Sequence, residues 1–325
     1  MTRLRIIVGT TASGKERLAL EVARRLNGEI VSVDSMKVYR GLDVATAKAG
    51  AEERRTVPHH CLDLVEPSET FSAADFVEAA EKAIKDIHSR GRIAVLSGGT
   101  AFYYKALLEG LFEGPGADPE LRRGLEARAA EEGSDALHRE LAERDPAAAA
   151  KIHPSDVRRL VRALEVAALT GRGISQAQTQ WVKFHHEDPE ERAAAFFAAP
   201  RHPFVMVRIV RERDDVRRRV KERIDHMAAR GLVDEARMVF ERRESISRTP
   251  LQAVGYKEFF PYFQGECTLE EALEKLRLGT NRLVRSQDTW FRKFPAAPLA
   301  LSAETSPAAI ADELAAEIFG AQADQ

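Results

Sequence analysis

Gly9-Thr10-Thr11-Ala12-Ser13-Gly14-Lys15-Glu16, the stretch GTTASGKE, decides how the rest of the chain is read. It follows the apolar run Leu4–Val8 and opens a segment, residues 15–26, in which Leu18, Val22 and Leu26 share one helical stripe. Strand, glycine loop and helix in that order match the phosphate-loop pattern G-x-x-x-x-G-K-[ST] as far as Lys15. Gly9 and Gly14 let backbone N–H groups face a phosphate, the helix N-terminus adds positive potential, and Lys15 adds a full charge. The whole loop, Gly9 through Glu16, is therefore a candidate diphosphate or nucleotide site. At its last position the pattern asks for a hydroxyl, and Glu16 supplies a carboxylate.

The chain has 325 residues, enough for one large domain with an insertion or for two domains, and 44% apolar residues suit a packed core. Its 49 basic and 51 acidic residues nearly cancel, so any nucleic-acid surface must come from local clustering. Cys61 and Cys267 stand far apart without metal-ligand spacing, which argues against a disulfide framework or a zinc finger and points to a reducing cytoplasm. No segment approaches the ~20 apolar residues of a membrane span. A cytoplasmic protein with no membrane contact is expected, with a monomer as the default.

Further apolar strands are expected at 29–33, 61–65 and 93–96, with a helix over 72–89 between the last two. This alternation implies an α/β fold: a P-loop NTPase-like parallel sheet flanked by helices. From about Pro115 the character changes to charged helical segments, 118–131, Ser134–Arg144 and 156–170, which predict an all-helical insertion domain. Strand character returns at Phe204–Val210, followed by long helices near 214–227 and 269–294. The expected organisation is a catalytic core of residues 1–114 and 200–325 around a helical insertion at 115–199. The Ala-rich end after Pro298 reads as a surface helix or a loose tail.

Two more strand ends carry chemistry. The second strand runs into Asp34-Ser35, at the carboxyl edge where α/β sheets bind ligands; a carboxylate there serves as a base, a metal ligand or a helix cap. The strand 93–96 runs into Ser97-Gly98-Gly99-Thr100, where a hydroxyl and close backbone approach suit an oxyanion, or equally a capped turn.

Together, VGTTASGK, VSVDSMKVYRGLDVATAKA, VPHHCLDL, FSAADF, LSGGTAFY, VRRLVRALEVAALTGR, AVGYKE and DTWFRKF resemble, in order and spacing, the tRNA dimethylallyltransferases (tRNA isopentenyltransferases) of bacterial type. The resemblance reaches about Phe294. It implies that dimethylallyl diphosphate donates its prenyl group to N6 of the adenosine just 3′ of the tRNA anticodon, with Mg2+ assisting and diphosphate leaving. Asp34 then corresponds to the general base and Thr100 to the residue that bonds the bridging oxygen of the donor. Arg219 corresponds to a diphosphate-binding arginine; Arg223, one helical turn on, extends that clamp. Asp34, Ser35, Met36, Lys37 and Thr100 correspond to contacts with the tRNA base, and Arg122, Arg158, Arg159, Leu160, Val161 and Arg162 to further tRNA contacts. His59 and His60 match a family pair and are read as structural, Phe102, Tyr103 and Tyr104 as packing, and Arg217 and Arg218 as solvated.

Several positions depart from the family pattern: Glu16 replaces Ser or Thr, Lys37 replaces the Gln of DSMQ, Ala45 replaces the Gly of GTAK, and Asn281 and Ser286 replace basic residues. Glu16 either ligates Mg2+ or points to solvent in the first turn of its helix. Two alternatives stand beside prenyl transfer: a tRNA-binding paralogue with lost or altered donor chemistry, and a small-molecule or nucleotide kinase on the same loop.

Overall fold

The structure, a computed structural model, describes residues 2–112, 114–177 and 200–320. The chain divides into two compact units, Met1–Leu108 with Asp188–Gln325, and Glu109–Glu187. The junction expected at 199/200 lies outside the described residues.

The first unit is built on a six-stranded sheet whose paired neighbours all run parallel, in the order β3-β2-β4-β1-β5-β6. Along the chain come β1 (Leu4–Val8), α1 (Lys15–Arg25), β2 (Gly28–Ser32), α2 (Ala51–Thr56), β3 (His59–His60), α3 (Ala73–Ser89), β4 (Ile93–Gly98) and α4 (Ala101–Glu109). β1 and β2 are buried along their whole length, as expected of strands covered on both faces. α3 starts where Ser72 and Asp75 cap each other's N–H groups, a capping box written as S-x-x-D in the sequence.

The strand expected at 61–65 does not form. The chain pairs with β2 only at His59–His60, because Cys61 (φ 60°) and Asp63 (φ 53°) take left-handed conformations that end an extended strand at once. Val65 survives as a single bridge to Tyr39.

The second unit contains α5 (Pro119–Glu131), α6 (Ser134–Arg144), α7 (Pro146–Ala149), α8 (Val157–Thr170) and α9 (Ile174–Ala177), with no strand among its described residues. Asp118 caps α5 through the N–H groups of Glu120 and Leu121, and Asp156 caps α8 through Arg159 N–H. Its core gathers Leu125, Leu137, Leu141, Leu160, Val161 and Leu164.

The first unit resumes with β5 (Phe204–Val210), α10 (Arg213–Ala229), α11 (Leu232–Glu241), α12 (Arg248–Leu251), α13 (Phe260–Phe263) and α14 (Leu269–Phe291). α10, α11 and α14 enclose a second core with Val38, Tyr39 and Leu42 of the segment after β2. As far as residue 320, the Ala-rich segment after Pro298 is no loose tail. β6 (Ala297–Ala300) adds the sixth strand beside β5, and α15 (Pro307–Glu313) packs on α1. Phe319 is fully buried, its carbonyl accepts from the buried Arg5 of β1, and Arg25 pairs with Asp312. Alanine-rich composition suggested a surface; a few large side chains at helical spacing anchor it instead. No helix among the described residues is long and apolar enough to cross a membrane.

Candidate active site

β4 lies between β1 and β2, with Val8 opposite Gly98 and Ser32 opposite Ser97. The segments leaving these three strands at their carboxyl ends are therefore neighbours: the phosphate loop, the turn at Asp34 and the turn at Thr100. Gly98 makes the close approach possible, since a Cβ there would lie 2.0 Å from Val33 O.

The loop has the backbone shape of an anion cradle. Ala12 (φ 64°) and Gly14 (φ 91°) are left-handed, and Gly14 leads into α1. Lys15 folds back with Nζ 3.3 Å from Thr10 O, and burial pushes its ammonium below the ordinary range. Ser13 Oγ is buried without a hydrogen-bond partner among the described residues. Two arginines hold the loop from outside: Arg219 Nε donates to Ala12 O at 2.7 Å, and Arg211 Nε donates to Ser13 O at 2.7 Å. Arg223 reaches toward Thr46 O at 3.5 Å, and its charge acts on both Lys15 and Glu16. The sequence pointed to Arg219 and Arg223 on one face of α10; Arg211, just after β5, it did not reveal.

Gln287 of α14 was also missed. Its Oε1 accepts the Thr11 N–H at 2.7 Å and its Nε2 donates to Gly99 O at 3.1 Å, so one amide ties the phosphate loop to the Thr100 turn. Only its place in the segment RSQDTWFR hinted at a role.

Asp34 Oδ1 accepts from Met36 N at 2.9 Å and from Lys37 N at 3.4 Å, closing a turn that holds the carboxylate at the sheet edge. Thr100 Oγ1 accepts from Ser35 N at 3.0 Å and donates to Ser35 Oγ at 3.3 Å. The structure thus brings Asp34, Ser35 and Thr100 together. Behind them, burial pushes the hydroxyls of Tyr103 and Tyr104 up, the latter well above the usual range, so both are neutral; Tyr103 stacks on Phe76 at 4.2 Å. Phe102 is the exposed member of the trio.

Glu16 has a partner the sequence did not reveal. It meets Lys37: Nζ lies 2.5 Å from Oε1. Burial by itself would push the Glu16 carboxyl up, but Lys37, Lys15 and Arg223 outweigh it and hold the group down at about 2. His60 and His59 are both hydrogen-bonded within the chain. His60 Nε2 bonds the buried Glu29 at 2.7 Å, and His59 Nδ1 bonds Val57 O at 2.7 Å.

In the helical unit, the six candidate contacts sort into three kinds. Arg122 and Arg162 converge on Glu165, which is fully buried: Arg122 Nε and NH2 donate at 2.8 and 2.9 Å, Arg162 NH1 at 2.5 Å, and the Asp118 N–H adds a fourth bond at 2.8 Å. These bonds hold the Glu165 carboxyl below its ordinary range against its burial. Leu160 and Val161 are core residues, so their side chains present nothing to a partner. Arg158 and Arg159 are exposed, the latter leaning on Asp156 at 3.3 Å. Nothing in the segment RALEV marks Glu165 as the anchor of two of the arginines.

The site so assembled is a loop with the backbone shape of an anion cradle, rimmed by cations, with a carboxylate and a hydroxyl on adjacent strand ends. That combination suits transfer of a group from a diphosphate to a nucleophile that loses a proton. Comparison with known proteins agrees with it. A family model described as IPP transferase matches residues 37–294. A tRNA dimethylallyltransferase of Geobacter metallireducens is 45% identical over 292 residues, 90% of each chain, and one of Anaeromyxobacter dehalogenans is 46% identical over 291 residues, 90% of this chain and 92% of that one. Among solved structures, a tRNA delta(2)-isopentenylpyrophosphate transferase from Staphylococcus epidermidis is similar at TM-score 0.68 and 32% identity, covering 98% of this chain and 99% of that chain. A eukaryotic dimethylallyltransferase acting on tRNA is similar at TM-score 0.73 and 26% identity, covering 92% of this chain and 74% of that one.

Proposed function

The chain belongs to the IPP transferase family, and from that premise we propose that it is a tRNA dimethylallyltransferase, moving a dimethylallyl group from dimethylallyl diphosphate to N6 of the adenosine 3′-adjacent to the anticodon. The observation that carries the reading is the meeting of the phosphate loop, Asp34 and Thr100 at three neighbouring strand ends.

In this reading Lys15, the loop N–H groups, Arg219 and Arg223 hold the diphosphate. As the adenine N6 attacks the allylic carbon, the C–O bond to diphosphate breaks and Asp34 takes a proton from the amine. An aromatic amine is a poor nucleophile, so removing its proton in the transition state is worth roughly 10²–10⁴-fold. Thr100 exchanges its long bond to Ser35 Oγ for one to the bridging oxygen, where negative charge develops. The acceptor base leaves its stack to reach the site, and the exposed Arg158 and Arg159 contact tRNA phosphates.

Among the described residues no three His, Cys, Asp or Glu side chains form a metal cage. The hard oxygens at the loop are the unpartnered Ser13 hydroxyl and the carboxylates of Asp34 and Glu16, a set that fits a Mg2+ held mainly by diphosphate oxygens. Ser13 is the loop's open donor, since Glu16 already engages Lys37 with one oxygen. Bound there, the ion would offset charge on the leaving diphosphate.

The test is incubation of the protein with Mg2+, labelled dimethylallyl diphosphate and unmodified tRNA, followed by digestion. N6-prenyl adenosine is the expected product. Intact tRNA binding without product would point to the paralogue with altered donor chemistry, and phosphoryl transfer from ATP to the kinase.

A further inference from the structure

Glu16 and Lys37 depart from the family's motifs at two places 21 residues apart, and in the folded chain each is the other's partner. The lysine side chain is 7% exposed and the glutamate side chain 40%. The Lys37 ammonium is therefore turned inward against the first turn of α1, not outward toward a base. Its backbone N–H, at 3.4 Å, meanwhile helps hold Asp34 Oδ1. Behind the pair lies a cavity of about 70 Å³ that both residues line with Ser32, His59 and Ser97, and Ser97 Oγ has no hydrogen-bond partner among the described residues. The pair thus sits at the edge of a hollow of mixed lining with room for a few waters.

The charges explain why the two changes belong together. A carboxylate at the last loop position stands beside the place where a diphosphate must sit, and like charges a few ångströms apart in a partly desolvated site repel by several kcal/mol. Lys15 and Arg223 also act on Glu16, but both belong to the group that grips the donor. Only Lys37 is additional, and it is the residue in contact.

Building on the prenyl-transfer reading, we propose that Lys37 acts on the donor side of this site. Its ammonium neutralises Glu16, so that the loop accepts a diphosphate, and the same bridge holds the Asp34 turn against the loop. Lys37 touches no reacting atom and is a positioning residue. In this chain, the position that corresponds to a base contact serves the donor instead.

The test is a double-mutant cycle of Lys37→Gln, Glu16→Thr and the two combined, with Lys37→Arg as the conservative control. Two quantities are read: affinity for inorganic diphosphate by calorimetry at fixed Mg2+, and the KM for tRNA. Lys37→Gln should weaken diphosphate binding about tenfold or more while moving the tRNA KM less than about twofold. The combined variant should recover most of that loss, and Lys37→Arg should retain most of the affinity. Should Lys37→Gln fold poorly, the combined variant and Lys37→Arg decide the matter. The proposal is overturned if Lys37→Gln raises the tRNA KM and leaves diphosphate affinity alone, or if the two single effects simply add. A cycle that couples as expected in a protein that makes no prenyl adenosine would refute the prenyl-transfer reading and leave the donor-side role of Lys37 standing.

Discussion

Gln287 Oε1 accepts the Thr11 N–H at 2.7 Å, joining α14 to the phosphate loop across 276 residues of chain. The same amide donates to Gly99 O, and a Cβ at position 99 would come within 2.6 Å of it. Replacing Gln287 with Ala leaves a loop N–H unpaired and loosens the Thr100 turn. Loss of these bonds should lower stability by about 1 kcal/mol and single-turnover prenyl transfer by about tenfold, the latter because misplacement of a group that binds the leaving oxygen is costly. Thermal melting and rapid quench measure the two effects. A variant with a wild-type rate would show that the amide serves packing alone.

Asp34→Asn keeps an oxygen able to accept from Met36 N–H, so the turn should persist. What it removes is the basic carboxylate. Prenyl transfer should fall by roughly 10²–10⁴-fold, with tRNA and diphosphate affinities retained in equilibrium binding. Unchanged turnover would dismiss Asp34 as the base.

Glu29 should contribute to acid stability. Its carboxyl is held down at about 2 chiefly by the Arg90 guanidinium, with His60 assisting against burial. The folded value lies below the ordinary 4.5, so the stabilisation is present in full above about pH 4.5 and is lost as pH falls toward 2. Glu29→Gln should cost roughly 1–3 kcal/mol at pH 7, and its melting temperature should fall less steeply than that of the parent between pH 4.5 and 2. Parallel melting curves for the two proteins across that window would dismiss the assignment.

The arginines of the helical unit should separate by experiment. Glu165→Gln breaks a buried pairing with Arg122 and Arg162 and should destabilise the protein by roughly 2–3 kcal/mol. Replacing Arg158 and Arg159 with Ala should leave melting almost unchanged and reduce the salt dependence of tRNA binding by a log–log slope of about 1–2. Filter binding across a salt series, beside calorimetric melting, reads both; a full salt slope in the double variant would move the tRNA contact elsewhere.

Local features were the legible ones. The phosphate loop could be read because β1, the glycines and the amphipathic face of α1 are contiguous, and the capped starts of α3, α5 and α8 because a cap depends on residues three apart. The strand expected at 61–65 misled because its apolar residues carried the β signal, while the left-handed conformation of Cys61 is unusual for its residue type and that of Asp63 ends the extended run. The Ala-rich end misled for the opposite reason: composition hid Phe319, which is fully buried.

The sequence by itself determined the parallel α/β class, the phosphate loop, the candidate acid and hydroxyl at Asp34 and Thr100, and the helical character of the insertion. Each rests on interactions between residues close along the chain, which periodicity and turn chemistry record directly. Only the tertiary structure decided that β4 lies between β1 and β2, which makes neighbours of three strand ends. It alone decided that Arg211 and Gln287 hold the loop, that Glu165 engages Arg122 and Arg162, and that Glu16 answers Lys37. Charge and hydrogen-bonding partners act through space, and a chain read in one dimension carries their identities without their distances.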